Sequence, residues 1–284
     1  MPVAPVEYYL PNELWCQIFL YCHDYKLSRN CHFFTVSWCF LEIYRHLFLP
    51  SVKSIHRAFV KQHNAHRLPL LKNLRELDLN ESEIPGSILQ QMTSLVKLSL
   101  GSNNQVCDDD LKLSRLRYLS LERNACITGA AFEHLSKLRG LSLFSNGTIE
   151  SKDLQKLRHL RYLDLDYNEL INDDDIIHLP LQSLSLHQNR CITDDALSKL
   201  TNLTQLDLGW NGNITKNALV ALPNLRLINA GITTAIKNDD KIATPDGREV
   251  CIQWNKTIMA SWHPERIIVS KIRNLNTTLP VKYT

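Results

Sequence analysis

Apolar and polar positions recur along this chain in a fixed frame, L-x-x-L-x-L. It reads LRELDL from Leu74, LVKLSL from Leu95, LRYLSL from Leu116 and LRGLSL from Leu138. It continues as LRYLDL from Leu160, LQSLSL from Leu181, LTQLDL from Leu203 and a decayed LRLINA from Leu225. Successive frames start 21 or 22 residues apart, a period that signals stacked structural units. Within x-L-x-L the leucines fall on one side of a short strand and the intervening residues on the other. One such strand cannot bury its apolar side alone. Stacking the units joins the strands into a parallel sheet over a continuous leucine core. Between frames the spacing becomes helical. In CITDDALSKL, Thr193 is placed to cap a helix, Asp194 and Asp195 sit in its positively polarised first turn, and Ala196, Leu197 and Leu200 point inward.

A second regularity marks the turn after each strand. Asn103, Asn124, Asn146, Asn168, Asn189 and Asn211 each lie eight residues after the first leucine of their frame, and Ser82 takes that place in the first. A turn that leaves the sheet strands polar backbone groups inside. An amide offers both donor and acceptor, so a column of Asn can bond the loops above and below. These features closely resemble the leucine-rich repeat family over residues 72–230. The resemblance implies an α/β solenoid, a horseshoe of seven to eight repeats, with a small helical domain ahead of it. The segments ITDDALSKL and ITGAAFEHL are similar to the repeat variant common in F-box proteins, C-x-x-I-T-D-x-x-L. Here Asn stands where that variant has its turn cysteine, and the units are shorter.

Ahead of the array, YYLPNELWCQIFLYC (residues 8–22) is more apolar than a free surface helix tolerates. Leu10-Pro11 can open a helix. Leu14, Ile18 and Tyr21 then share one face, and Trp15, Phe19 and Cys22 the adjoining one. The order Leu10, Pro11, Glu13, Leu14, Ile18, Phe19, Tyr21, Leu27, Val36, Ser37 and Phe40 resembles the F-box pattern. Cys22 replaces a leucine of that pattern, and a few extra residues precede Val36. The resemblance makes residues 1–50 an F-box-like domain. It implies docking on a Skp-family adaptor of a cullin–RING ubiquitin ligase through Leu10, Pro11, Leu14, Ile18, Phe19, Val36 and Phe40. The alternative is a solenoid cap, which makes the chain a free-standing binding or inhibitor module. Cys16, Cys22, Cys31 and Cys39 raise the question of a zinc knuckle. No C-x-x-C pair is present, and cysteine at helical spacing packs as a small hydrophobe, so no metal is expected.

Charge and composition narrow the partners. A formal net charge of +3 is too small to imply nucleic acid or a membrane. The most apolar run, CHFFTVSWCFLEIYRHLFLP, is interrupted by Glu42, Arg45 and His46 and is no membrane span. The first residues lack the basic and apolar regions of a secretory leader. The eight cysteines then read as reduced thiols in the cytoplasm or nucleus. No Gly-rich phosphate loop, G-x-S-x-G or H-E-x-x-H occurs, so neither catalysis nor a cofactor is expected. Cys251 could serve a ligase of the bacterial leucine-rich kind only with a large helical domain behind it, and 33 residues follow.

Three further segments carry expectations. Residues 51–71 read as a linker helix with Lys53, Arg57 and Lys61 on one face. The runs Asp108–Asp110 and Asp173–Asp175 read as helix-start acids rather than a cation site. In the cap and tail, residues 231–284, KIATPDGREVCIQW reads as two strands around an Asp-Gly turn.

The leucine-rich repeat resemblance makes the residues between the strand leucines a concave binding face. It carries Tyr118, Phe144, Tyr162, Tyr167, His187 and Trp210 among Glu122, Asp164, Asp166 and Asp207. Exposed aromatics are favoured anchors at interfaces, so this face is expected to hold a target protein with apolar knobs and basic residues. Arg75, Arg117, Arg139, Arg161 and Arg226 form a column beside the strand starts and are expected to pair with the acids.

Overall fold

A computed structural model describes residues 53–55, 62–231 and 241–253. The described strands form one parallel sheet of ten, ordered as in the sequence. They are β1 (Ser54–Ile55), β2 (Glu76–Asp78), β3 (Lys97–Ser99), β4 (Tyr118–Ser120) and β5 (Gly140–Ser142), then β6 (Tyr162–Asp164), β7 (Ser183–Ser185), β8 (Gln205–Asp207), β9 (Leu227–Asn229) and β10 (Cys251–Gln253). The register never slips: Leu77, Leu98, Leu119, Leu141, Leu163, Leu184, Leu206 and Ile228 occupy one rung line. A one-residue slip would turn every leucine outward, so core burial fixes the register.

Behind the sheet, equivalent residues of successive units stack into buried columns. The frame leucines Leu95, Leu116, Leu138, Leu160, Leu181 and Leu203 are no more than 1% exposed. The return segments contribute Leu89, Leu111, Phe132, Leu154, Ile176, Leu197 and Leu219, all fully buried. Each such side chain withdraws enough apolar surface to contribute roughly 1.5–3 kcal/mol.

The Asn column joins the units. The Asn146 amide donates to the carbonyls of Leu121 (2.9 Å) and Asn124 (3.0 Å), while its Oδ1 accepts from the N–H groups of Thr148 and Ile149 (3.0 Å each). Asn103, Asn124, Asn168, Asn189 and Asn211 repeat this pattern. The residue three places on, such as Ile149 or Ile171, is thereby steered into the core.

The residue before each Asn, and before Ser82 in the first frame, has a left-handed backbone: Glu81, Ser102, Arg123, Ser145, Tyr167, Gln188 and Trp210, with φ between 48° and 55°. The geometry serves the ladder. The N–H of Tyr167, for example, still donates to the carbonyl of His187 in the next unit (3.0 Å) while the chain turns to send Asn168 inward.

Return segments are short helical turns. Thr193 caps Asp194–Lys199, its hydroxyl accepting from the N–H of Asp195. Asn172 caps Asp173–Ile176 with a reciprocal bond from its N–H to Asp175. The acidic runs therefore begin return turns. They also tie units together, since Asp108 accepts from the N–H and hydroxyl of Thr128, Asp173 from those of Thr193, and Asp194 from those of Thr215.

Both ends of the array depart from expectation. Lys53 heads a strand instead of a linker helix: its carbonyl accepts from the N–H groups of Arg75 and Glu76, which adds β1 to the sheet. Residues 62–70 form a 3₁₀ return turn. Arg57 and Lys61 lie outside the described residues. At the other end the Asp-Gly turn forms, with an antiparallel bridge between Ala243 and Glu249. Cys251–Gln253, however, leaves the hairpin to pair in parallel with β9. The adaptor-docking residues Leu10, Pro11, Leu14, Ile18, Phe19, Val36 and Phe40, and the helical domain they define, also lie outside the described residues.

Candidate protein-binding face

Parallel register places residues of equal frame position side by side, about 4.8 Å apart. The exposed side of the sheet is thus striped. In the stripe before the central leucine, Tyr118 and Tyr162 flank Gly140. With no side chain between them, the two rings approach to 6.3 Å between centroids. Lys97, which pairs with Glu76 at 3.3 Å, lies 5.5 Å from the Tyr118 ring.

A second aromatic row follows the strand ends. Phe144 and Tyr167 are 5.2 Å apart between centroids, and Tyr167 and His187 are 5.5 Å apart. The Arg123 guanidinium stands 5.1 Å over Phe144, an exposed cation–π contact. Trp210 is the outlier of the six predicted anchors. It is 53% exposed, and among the described residues no ring contact joins it to the others. Tyr167 and Trp210 both project from left-handed turn positions, where bulky residues are uncommon.

Between the rows runs a polar stripe that includes Ser120, Ser142, Asp164, Ser185 and Asp207. Asp164 is only 4% exposed. It accepts from the Ser142 hydroxyl (2.7 Å) and the N–H of Asp166 (3.0 Å). Asp166 accepts from the N–H of His187 (2.7 Å) and from Ser185. Asp207 accepts from the N–H of Gly209 (3.0 Å) and the Asn229 amide (2.7 Å). Every one of these donors is neutral. Burial is the largest reason the Asp164 carboxyl is pushed up to about 6; Glu122 and Asp207 add repulsion, and its two hydrogen bonds offset only part. Burial, and then the charge of Asp164, push Asp166 well above the usual carboxylate range. Burial lowers His187.

The expected pairing of the arginine column with these acids does not occur. Among the described residues no ion pair uses Arg75, Arg117, Arg139, Arg161 or Arg226. Arg117 instead points along the strand starts toward the carbonyls of Leu116 and Lys137 (3.4 Å each). The cause is the register: Arg117, Arg139 and Arg161 stack on one another, and Asp164 and Asp166 lie three and five residues beyond Arg161. Two glycines belong to the face and were not foreseen. Gly140 admits the tyrosine pair, and a Cβ on Gly209 would stand 2.2 Å from Nδ1 of His187.

Family models described as leucine rich repeat match residues 114–170 and 199–222. Over the described residues the fold is that of a leucine-rich repeat solenoid, with a parallel sheet of ten strands, and the matched segments lie within it. Among solved structures, the Rad7–Elc1 complex of yeast matches at 18% identity, over 76% of this chain and 71% of that chain, with a TM-score of 0.52. An internalin (inlF) of Listeria monocytogenes matches at 24% identity, over 67% of this chain and with a TM-score of 0.49; the matched region spans 57% of the internalin. The Toll–Spatzle complex of Drosophila matches at 17% identity, over 68% of this chain and 28% of that chain, with a TM-score of 0.47. No curated protein matches the chain.

Proposed function

We propose that this chain is the recognition subunit of a ubiquitin ligase. Its sheet face captures a target protein, and residues 8–50 dock on a Skp-type adaptor of a cullin–RING complex in the cytoplasm or nucleus. One observation carries the capture half: two aromatic rows flank a polar stripe that holds the buried Asp164 and the half-buried Asp207 on an otherwise regular sheet. Rings of this kind supply large contact area at low conformational cost, and interface energy concentrates in them. The adaptor half rests on the F-box resemblance of residues 10–40. The chain performs no chemistry in this role. It raises the effective concentration of target lysines near a charged ubiquitin carrier.

A second reading, a free-standing binding module, keeps the capture half. It is favoured by β1 being an edge strand of the described sheet, because a solenoid end requires cover. Co-precipitation with a Skp-type adaptor separates the two. Wild type is expected to bind the adaptor, and a Leu10→Ala/Pro11→Ala/Ile18→Ala protein to lose it. Tyr162→Ala/Trp210→Ala is expected to lose the target and keep the adaptor. Failure of the wild type to bind the adaptor would establish the free-standing module, and target capture unchanged by the Tyr162/Trp210 pair would move the site off the sheet face.

A further inference from the structure

We infer that Asp164, Asp166 and Asp207, with the His187 imidazole beside them, form a receptor for one arginine side chain projected by the captured protein. The inference rests on the proposed capture role of the sheet face and specifies its chemistry.

The first observation is a charge imbalance. Three carboxylates share the β6–β8 surface and receive hydrogen bonds from neutral groups alone. Among the described residues none of them has a basic partner. Two cations of the same face are engaged elsewhere: Arg123 lies over Phe144, and Lys97, on β3, is paired with Glu76. Uncompensated charge on a desolvated surface is costly unless a counter-charge completes it.

The second observation is independent of the first. His187 is only 8% exposed, and Nε2 of its imidazole is buried with no hydrogen-bond partner. A buried polar group in that state is rare in a finished structure. The ring is wedged into the acidic patch. Its Nδ1 and Oδ1 of Asp207 both lie within 3.4 Å of one point above Gly209, and its other side meets Tyr167.

The geometry selects the type of cation. Among the described residues no three His, Cys, Asp or Glu side chains are close enough to hold one metal ion. Asp164 and Asp207 are separated by β7, so they lie about two strand spacings apart. The separated nitrogens of a guanidinium can divide between the two carboxylates, a span that neither a single metal ion nor one ammonium covers. Tyr162 and Tyr167 stand on the same unit and offer ring faces to an arriving cation.

Entry of the cation depends on the ionisation of the patch. The titratable groups facing Asp164 and Asp166 are Glu122 on the β4 unit, Tyr162 and Tyr167 on their own unit, His187 on the β7 unit and Asp207 on β8. The β5 unit places Gly140, Ser142 and Phe144 there. Below about pH 6 Asp164 holds its proton, so the receptor accepts a basic side chain above that pH and releases it below.

The test uses the full chain and fluorescein-labelled peptides, (Gly-Arg)5 against (Gly-Ser)5 and (Gly-Glu)5, read by fluorescence anisotropy at pH 7.5 and 5.5. Wild type is expected to bind only (Gly-Arg)5, and more weakly at the lower pH. Asp164→Asn/Asp166→Asn/Asp207→Asn should weaken binding at least tenfold and remove its pH dependence. Asp174→Asn/Asp195→Asn, which neutralises exposed acids of the return turns, should change nothing. Should the triple substitution melt early, Asp166→Asn and Asp207→Asn singly are each expected to weaken binding threefold or more. Equal binding of (Gly-Arg)5 and (Gly-Ser)5, or unchanged binding by the Asn variants, overturns the receptor. Target capture distinguishes this failure from failure of the capture role. Loss with Tyr162→Ala/Trp210→Ala but not with the Asn variants leaves the capture role standing without the receptor, whereas retention by both removes the capture role as well.

Discussion

The two sides of the same strands treat buried polar groups in opposite ways. Toward the core, every Asn of the turn column meets backbone donors and acceptors in matched numbers, and the array closes on itself. Toward the sheet face, Asp164 is nearly as hidden and Asp166 half-buried, yet their charge is answered by nothing basic among the described residues, and Nε2 of His187 bonds to nothing there. Buried amides make a solenoid stiff. Buried acids facing outward make it costly by itself and receptive to a complement. The difference teaches that a strand only three residues long can hold the array together on one face and leave polar groups open to a proposed partner on the other.

The sharpest way to break the comparison is to remove a ladder amide. Asn146→Ala leaves the N–H groups of Thr148 and Ile149 without partners and takes a donor from the carbonyls of Leu121 and Asn124, in a site only 3% exposed. Each unsatisfied group costs about 1–3 kcal/mol, so a loss of roughly 3 kcal/mol or more is expected in urea unfolding. A loss below about 1 kcal/mol would show the ladder to be redundant.

The opposite sign is expected across the sheet. Folded Asp164 keeps its proton to about 6, against 3.8 for the free group. The folded state therefore binds more protons between those values, and stability falls as pH rises through that window. Below it both states are protonated and the effect vanishes. Asp164→Asn should accordingly raise stability by about 2 kcal/mol at pH 7.5 and leave it unchanged near pH 3. Its Oδ1 still accepts from the N–H of Asp166, so the fold has no reason to change. A variant less stable than wild type at pH 7.5 would mean that Asp164 is a structural group like the asparagines.

The smallest effect concerns the turn. Trp210 has φ 55° and is 53% exposed, so it bears the left-handed penalty without compensating burial. Asn tolerates that conformation, and Trp210→Asn should stabilise by roughly 0.5–1 kcal/mol in thermal unfolding. The same substitution should weaken target capture, which would place strain and function on one residue.

The leucine frame, the Asn column and the Thr193 cap were legible in the sequence because each is a local demand repeated many times. β1 was not: two residues, Ser54 and Ile55, carry no alternation to read. β10 was mistaken for half of a hairpin because the Asp-Gly turn is real, and only the open edge of β9 decides that Cys251–Gln253 pairs with it instead. The aromatic anchors could be found one by one, but their grouping follows from register, which sets Tyr118 beside Tyr162 across Gly140. Register also defeats the arginine–acid pairing that charge alone suggested. The left-handed turn gave no signal, since neither Gly nor Asn stands at any of its seven places.

That turn has a consequence for how such a chain could change its partner. Its seven residues share φ within a few degrees, 48° to 55°, and include Glu, Ser, Arg, Tyr, Gln and Trp. Backbone geometry is held by the neighbouring Asn and the ladder, so side-chain identity there is nearly free. Mutation at these seven positions can exchange a charge for a ring, one rung apart, without disturbing the core. A lineage carrying this array could be redirected to a new target by single substitutions that leave folding untouched.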